Sequence, residues 1–325
     1  MAAPACSSVA DFSGVTGTQL AEAMELCQFT TANPPLPQRK WGVISAEQVF
    51  ADGSSPNGTQ LGNIRNWQSA VVVDYGSNVA PQMGPTMAAI STGRMRDQGD
   101  PGFVNPDGGT DFGHSGNPPP VYLAGNGGSL PASASCNGNC PAGGGANDSV
   151  NARLTIRVPT NALSFSYKFK FYTAEFPEWT CTIYNDFYLA LLQTGAPGVP
   201  ADTNISFDAQ NNPVSVNNGF FDVCQAAGCY SCPAGTSELV GTGMQGGIGG
   251  GTEWLFTTAP VVAGETIVLE LMVFDVSDGV WDSLVLLDDF QWAIDPADVG
   301  TGVVGGRRAV GRSQPTNGSC WIRPA

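Results

Sequence analysis

The sequence predicts an all-β fold: a β-sandwich, jelly-roll-like, with one short N-terminal helix and long disulfide-stapled loops. Three observations carry that prediction. Segments of apolar–polar alternation recur between turn clusters, most clearly in the second half of the chain. Glycine and proline, 42 and 24 of 325 residues, punctuate them without reaching a low-complexity composition. Charged residues make up 13% of the chain against 42% hydrophobic, enough for a large core.

The first element is a helix over 18–28, where Leu20, Ala23, Met24 and Cys27 recur at three- and four-residue spacing and Thr18 can cap the start. Prolines at 34, 35 and 37 break the chain. Residues 41–50 read as a strand, 52–58 as a turn cluster, 70–75 as a short buried strand and 87–93 as an apolar run ending in a turn. Residues 94–149 form a long polar loop across the surface; a loop of that length is functional or stapled.

Beyond it, residues 152–158 alternate strictly. Over 162–172, Leu163, Phe165, Tyr167, Phe169 and Phe171 share one face, while Ser164, Ser166, Lys168 and Lys170 share the other. A half-buried antiparallel strand produces that pattern. Further strands fall at 186–192, 204–207, 214–216, 254–258, 266–274 and 283–292. The Gly-rich segment 241–251 lacks a P-loop lysine and reads as a connector. The organisation expected is one sandwich domain over 1–298 and a Gly/Arg-rich tail or linker over 299–325. Runs of apolar residues all fall short of a membrane span.

Charge narrows the partners. The chain holds 13 basic and 28 acidic residues for a net −15, and only nine of the basic residues precede residue 299. Nucleic acid and anionic membrane need clustered cations, so neither is expected as a partner. Nine cysteines in such a chain point to an oxidising compartment. The short 136–140 spacing suggests a local staple, and Cys320 is the candidate for the unpaired thiol. A four-thiolate zinc site from Cys181, Cys224, Cys229 and Cys232 is the competing reading. The opening residues lack a basic and an apolar leader region. Export therefore predicts that a signal peptide has been removed and that Met1 is an added start codon.

Catalytic motifs are sparse. His114, the single histidine, lies in the long loop between glycines and reads as a solvated turn residue rather than a general base. Glu175 and Glu178, beside Trp179, are the candidate carboxylate pair for polysaccharide hydrolysis, against a plain polar strand end. The densest acidic cluster comprises Asp275, Asp278, Asp282, Asp288 and Asp289, between and along two apolar strands, with Asp186 able to add oxygens from another strand. Ca2+ takes six to eight oxygens, and an Asp-rich turn with a glycine supplies carboxylates and carbonyls together. The alternative is an acidic turn whose aspartates accept backbone N–H bonds.

The segments YTAEFPEW (172–179), NDFY (185–188), NPVSVNN (212–218), GTEWL (251–255) and DGVWDS (278–283) occur in an order that resembles the choice-of-anchor L domain family, over roughly residues 10–295. MAAISTG (87–93) resembles that family's apolar run ending in Ser-Thr-Gly. WGVIS (41–45) and NVAPQ (78–82) look most like its cysteine-rich, myxobacterial branch. The resemblance implies a secreted or surface-displayed bacterial protein. The function expected is a non-enzymatic extracellular binding or adhesion module, calcium-stabilised, whose partner is a glycan, matrix component or surface protein. Trp179, Tyr184 and Trp281 are candidates to stack on sugar rings or to pack at a rim. The alternatives are a secreted polysaccharide-acting hydrolase and a self-assembling structural protein whose edge strands pair between copies.

Overall fold

The computed structural model describes residues 6–135, 138–305 and 321–322. Its strands are β1 (Gly42–Val49), β2 (Ser69–Val72), β3 (Met87–Ser91), β4 (Ser115–Gly116), β5 (Ala134–Ser135), β6 (Gly138–Asn139), β7 (Ala146–Arg157) and β8 (Ser164–Thr173). They continue with β9 (Phe187–Gln193), β10 (Phe221–Val223), β11 (Gly250–Thr252), β12 (Leu255–Pro260), β13 (Thr266–Asp275), β14 (Ser283–Ala293), β15 (Gly300–Val303) and β16 (Trp321–Ile322). A five-stranded antiparallel sheet runs β1-β7-β13-β9, with β4 on β7. A nine-stranded one runs β10-β11-β8-β14-β3-β2, with β12, β15 and β16 branching from it; β5 and β6 form a separate pair.

The alternating strands behave as their pattern requires. Phe165, Tyr167, Phe169 and Phe171 of β8 meet Leu154, Ile156, Leu269 and Leu271 of the facing sheet in one core. This is a β-sandwich, as expected. The polar face of β8 is the exception: Lys170 is fully buried and ion-paired with Glu238. The cause is a second layer. Tyr75, Leu239 and Met244 from loops cover Tyr172 and Leu286 on the outer face of the larger sheet. Leu163, expected on the core face, is 41% exposed just before the strand begins.

The helix is shorter than expected. α1 (Gly17–Ala23) is capped by Thr16, not Thr18, through a reciprocal box with Gln19, and the left-handed Glu25 (φ 70°) turns the chain away. Cys27 then bonds Cys6. Among the described residues two further short α-helices exist, α2 (Gly58–Asn63) and α3 (Pro120–Gly125). Residues 204–207 and 214–216 make isolated bridges to β9 rather than strands. The 94–149 segment is only partly a surface loop. Its last residues belong to β7, and its Tyr122 and Leu130 pack on Phe187, Leu189, Met272 and Phe274 over the outer face of the smaller sheet. β15 lies past residue 298 yet pairs with β12 from Leu255 to Thr258.

Candidate functional site: a buried carboxylate network

One end of the sandwich gathers five carboxylates that are each at most 3% exposed: Asp148, Glu175, Asp186, Asp275 and Asp282. Strand ends deliver them. Asp186 immediately precedes β9, Asp275 closes β13, Asp282 precedes β14, and Glu175 follows β8. Asp148 lies on β7 at φ 43°, where the β7–β13 register shifts by a bulge between Val273 and Asp275. Bulges re-aim side chains in this way.

Most of these oxygens are held by protein donors. Asp186 accepts from the Val276 amide (3.0 Å) and the Ser283 hydroxyl (2.6 Å), and Glu175 accepts from the Asp186 amide (3.1 Å). Asp148 accepts from the Phe112 and His114 amides at 2.7 and 2.9 Å, and Asp282 accepts from the Thr110 amide at 3.1 Å. Asp282 sits where a Cβ at Gly93 or Gly109 would come within 1.7 or 2.0 Å of its carboxylate, so both positions require glycine. The long loop is thus clamped by two aspartates.

Burial holds every member above the ordinary carboxylate range. Asp186 and Asp282 are pushed up to about 7 and Asp148 to about 6; Glu175 and Asp275 rise well above their usual values, desolvation first and the Asp186 charge second. Asp275 lies beside the Asp186 charge, and two buried like charges are relieved when the pair retains one proton between them. Asp275 Oδ1 is buried with no hydrogen-bond partner.

Of the six aspartates singled out in the sequence, the structure therefore brings together Asp186, Asp275 and Asp282, with the half-buried Asp278 on the rim. Asp288 and Asp289 belong elsewhere, further along β14 at a second bulge. Asp288 accepts from the Gln82 and Met83 amides, and Asp289 pairs with Lys168 at 2.9 Å. Among the described residues no three of His, Cys, Asp or Glu converge so as to hold a metal ion. Sequence reasoning missed Asp148 altogether. The signal was the repeated dipeptide: Asn147-Asp148 opens the apolar part of β7 as Asn185-Asp186 opens β9.

The other candidates separate. Glu175 is buried while Glu178 is exposed, so the two do not face one another across a cleft. Instead of being solvated, His114 stacks on Phe50 with ring centroids 3.5 Å apart and 7° between planes. Trp179 packs against Tyr184 and Trp281 at 5.1 and 4.9 Å, a half-buried aromatic rim whose members are sequence neighbours of Glu175, Asp186 and Asp282.

The cysteine pairing also differs from expectation. Cys140 bonds Cys181, joining the long loop to the turn after β8, so it is not stapled to Cys136. Cys224 bonds Cys232, which removes the four-thiolate zinc set. Cys229 is disulfide-bonded as well. Cys136 and Cys320 lie outside the described residues.

Residues 143–291 match the family model of the Choice-of-anchor L domain. The match begins just before β7 and ends within β14, so it covers the central strands and every network member. Neither a curated protein nor a solved structure matches the chain.

Proposed function

With a Choice-of-anchor L domain over residues 143–291 as premise, we propose that this chain is an extracellular or cell-surface binding module without catalytic activity. The observation that carries the reading is where the acids go. Asp148, Glu175, Asp186, Asp275 and Asp282 are occluded, and four of the five accept main-chain N–H bonds that fix loops, which leaves the half-buried Asp278 as the acid with raised proton affinity on the rim. An acid–base catalyst must reach its substrate. Disulfides suit an oxidising compartment, and no helix among the described residues is long and apolar enough to cross a membrane. Binding through the Trp179–Tyr184–Trp281 rim to a glycan, matrix component or surface protein is the adhesion role proposed here.

Protease treatment of intact producing cells, with a screen on polysaccharides and esters, tests this reading. Expected are loss of the protein from the cell surface or its recovery in the medium, and no turnover. Glu175-dependent hydrolysis would overturn it.

A calcium-stabilised form is a second proposal, favoured by the unpartnered Asp275 Oδ1 beside Asp186. Ca2+ would replace the shared proton, with Asp278 rearranging to complete the oxygen set. At a hundredfold excess over Kd the gain is about 2.7 kcal/mol, so melting should rise with calcium and fall with EDTA. A melting curve indifferent to both, with no calcium found by metal analysis, leaves the proton as the only counter-ion.

A further inference from the structure

At the opposite end of the smaller sheet lies an open cleft of about 720 Å³ lined by Gln28, Arg39, Lys40, Trp41, Arg157 and Thr160, with Leu36 at its lip. Its charge is contrary to the rest of the molecule. Three of the nine basic residues before position 299 line it, none of them forms an ion pair among the described residues, and no acid is among its described lining residues. Elsewhere Arg153, Lys168 and Lys170 are paired with Glu270, Asp289 and Glu238.

Arg157 is the floor. It is 3% exposed, and its Nη1 and Nη2 donate to the Lys40, Thr31 and Ala32 carbonyls at 3.1, 3.0 and 2.6 Å and, more weakly, to the Thr30 hydroxyl. Its Nε is buried without a partner. A guanidinium cannot lose its charge in a protein, so a buried one bonded only to neutral acceptors is an uncompensated cation. Arg39 and Lys40 stand exposed beside it. Trp41 is half-buried against the core, and its carbonyl is held by Gln28 Nε2 at 2.7 Å. Cations, one aromatic wall and neutral hydrogen-bonding side chains make a combination suited to a planar carboxylate carried on a hydroxylated ring.

We propose that this cleft binds the carboxylate of an acidic sugar, a uronate unit of an extracellular polysaccharide. The proposal rests on the surface-module reading and adds to it a site apart from the aromatic rim, with its ligand class. Arg157 provides the fixed charge, Arg39 and Lys40 close over the carboxylate, and Trp41 packs against the ring.

The test is calorimetric titration of the full chain with an oligogalacturonide, a neutral maltooligosaccharide of equal length, and inorganic phosphate. The acidic sugar should bind, with affinity falling as salt is raised, because exposed cations are screened. Arg39→Ala/Lys40→Ala, both exposed and so compatible with folding, should weaken it at least about tenfold, the scale of losing one charge-assisted contact. The neutral sugar should bind at least as weakly as that variant does the acidic one. Absence of binding at millimolar acidic sugar overturns the proposal, as does an unaffected double variant. Phosphate binding as tightly as the sugar would make the cleft a general anion site and overturn the uronate assignment. A dimer in size-exclusion chromatography that the double variant dissolves would assign the cleft to a second copy instead. Failure here leaves the module reading intact if the protein is still found at the cell surface. Absence from the surface and medium breaks that reading without touching the titration.

Discussion

The two ends of β13 bury charge of opposite sign, and they resolve the cost in different ways. Asp275 at one end lies among four other occluded carboxylates, while Thr266 at the other pairs in register with Arg157, the floor of the basic cleft. Ten residues of strand put them roughly 30 Å apart. A carboxyl group can shed its charge by taking a proton, so the acidic end can neutralise itself, at the expense of sensitivity to pH. A guanidinium has no such exit. The basic end leans instead on the carbonyls of Thr31, Ala32 and Lys40, and a net positive charge remains there, which suits the anionic ligand proposed above.

The largest expected effect breaks the acidic end covalently. Cys140–Cys181 ties the long loop to the turn beside Glu175, 41 residues apart in sequence. Replacing both with serine should cost about 2–5 kcal/mol, measured by denaturant unfolding. Calorimetry on the same variant should leave the basic cleft's sugar titration unchanged, since neither cysteine lines it. If both ends fail together, they are not separable units.

How much of this was legible in the sequence follows the same division. The strands were: β8 falls within two residues of its alternating segment, and β13 and β14 within one residue of the apolar runs at 266–274 and 283–292, because the period and length of apolar residues report which faces of a strand are covered. The domain match over residues 143–291 was legible too, since the motifs from Tyr172 to Ser283 fall within it, at strand ends and connections. What the sequence hides is the second layer of loops. Lys170 reads as a solvent residue until residues 237–244 fold over it. Asp288 and Asp289 read as neighbours of Asp282, but a strand carries them away along β14 at about 3.3 Å per residue. The basic cleft was hidden for the same reason: Arg39-Lys40 and Arg157 are 117 residues apart for the Lys40–Arg157 contact.

Next in size is the pH dependence of the acidic end. Asp186 and Asp282 hold protons to about 7 in the folded state and Asp148 to about 6, above the unfolded value near 4. Groups raised in this way contribute stability that is complete below pH ~4 and lost as pH climbs through the folded values. In EDTA, the protein should therefore lose at least ~2 kcal/mol between pH 5 and pH 8, since each tenfold change in proton affinity is worth about 1.4 kcal/mol. Asp275→Asn supplies a permanent donor where the shared proton stands, so it should stabilise the protein at pH 8 and flatten the curve. An unchanged slope in that variant would show that Asp186 and Asp275 do not share a proton.

The basic end should show no such slope. Arg157→Met keeps the stem and removes the guanidinium, releasing the carbonyls of Thr31, Ala32 and Lys40. Expected is a loss of roughly 1–3 kcal/mol, independent of pH, with limited proteolysis newly cutting near residues 31–40. A variant more stable than the parent would show that the uncompensated charge outweighs the loop contacts it makes.

The smallest effect concerns His114, which joins the long loop to the acidic end without belonging to the network. Its amide and carbonyl are bonded to Asp148, and those main-chain bonds survive any substitution. His114→Ala therefore isolates the ring, which lies flat on Phe50 with Nδ1 buried and unpartnered. Loss of such a stacked pair should cost about 0.5–1.5 kcal/mol. Burial lowers the proton affinity of the imidazole, so the ring is stacked in its neutral form. A base depressed in the folded state contributes stability that is present above its unfolded value near 6.5 and lost as pH falls. The His114→Ala penalty should accordingly be larger at pH 8 than at pH 5, opposite in sign to the trend of the carboxylate network a few residues away. His114→Phe should recover the stack, remove the orphaned nitrogen and erase the pH dependence. A penalty that stays below about 0.5 kcal/mol at both pH values would return His114 to the solvated turn residue its sequence suggests.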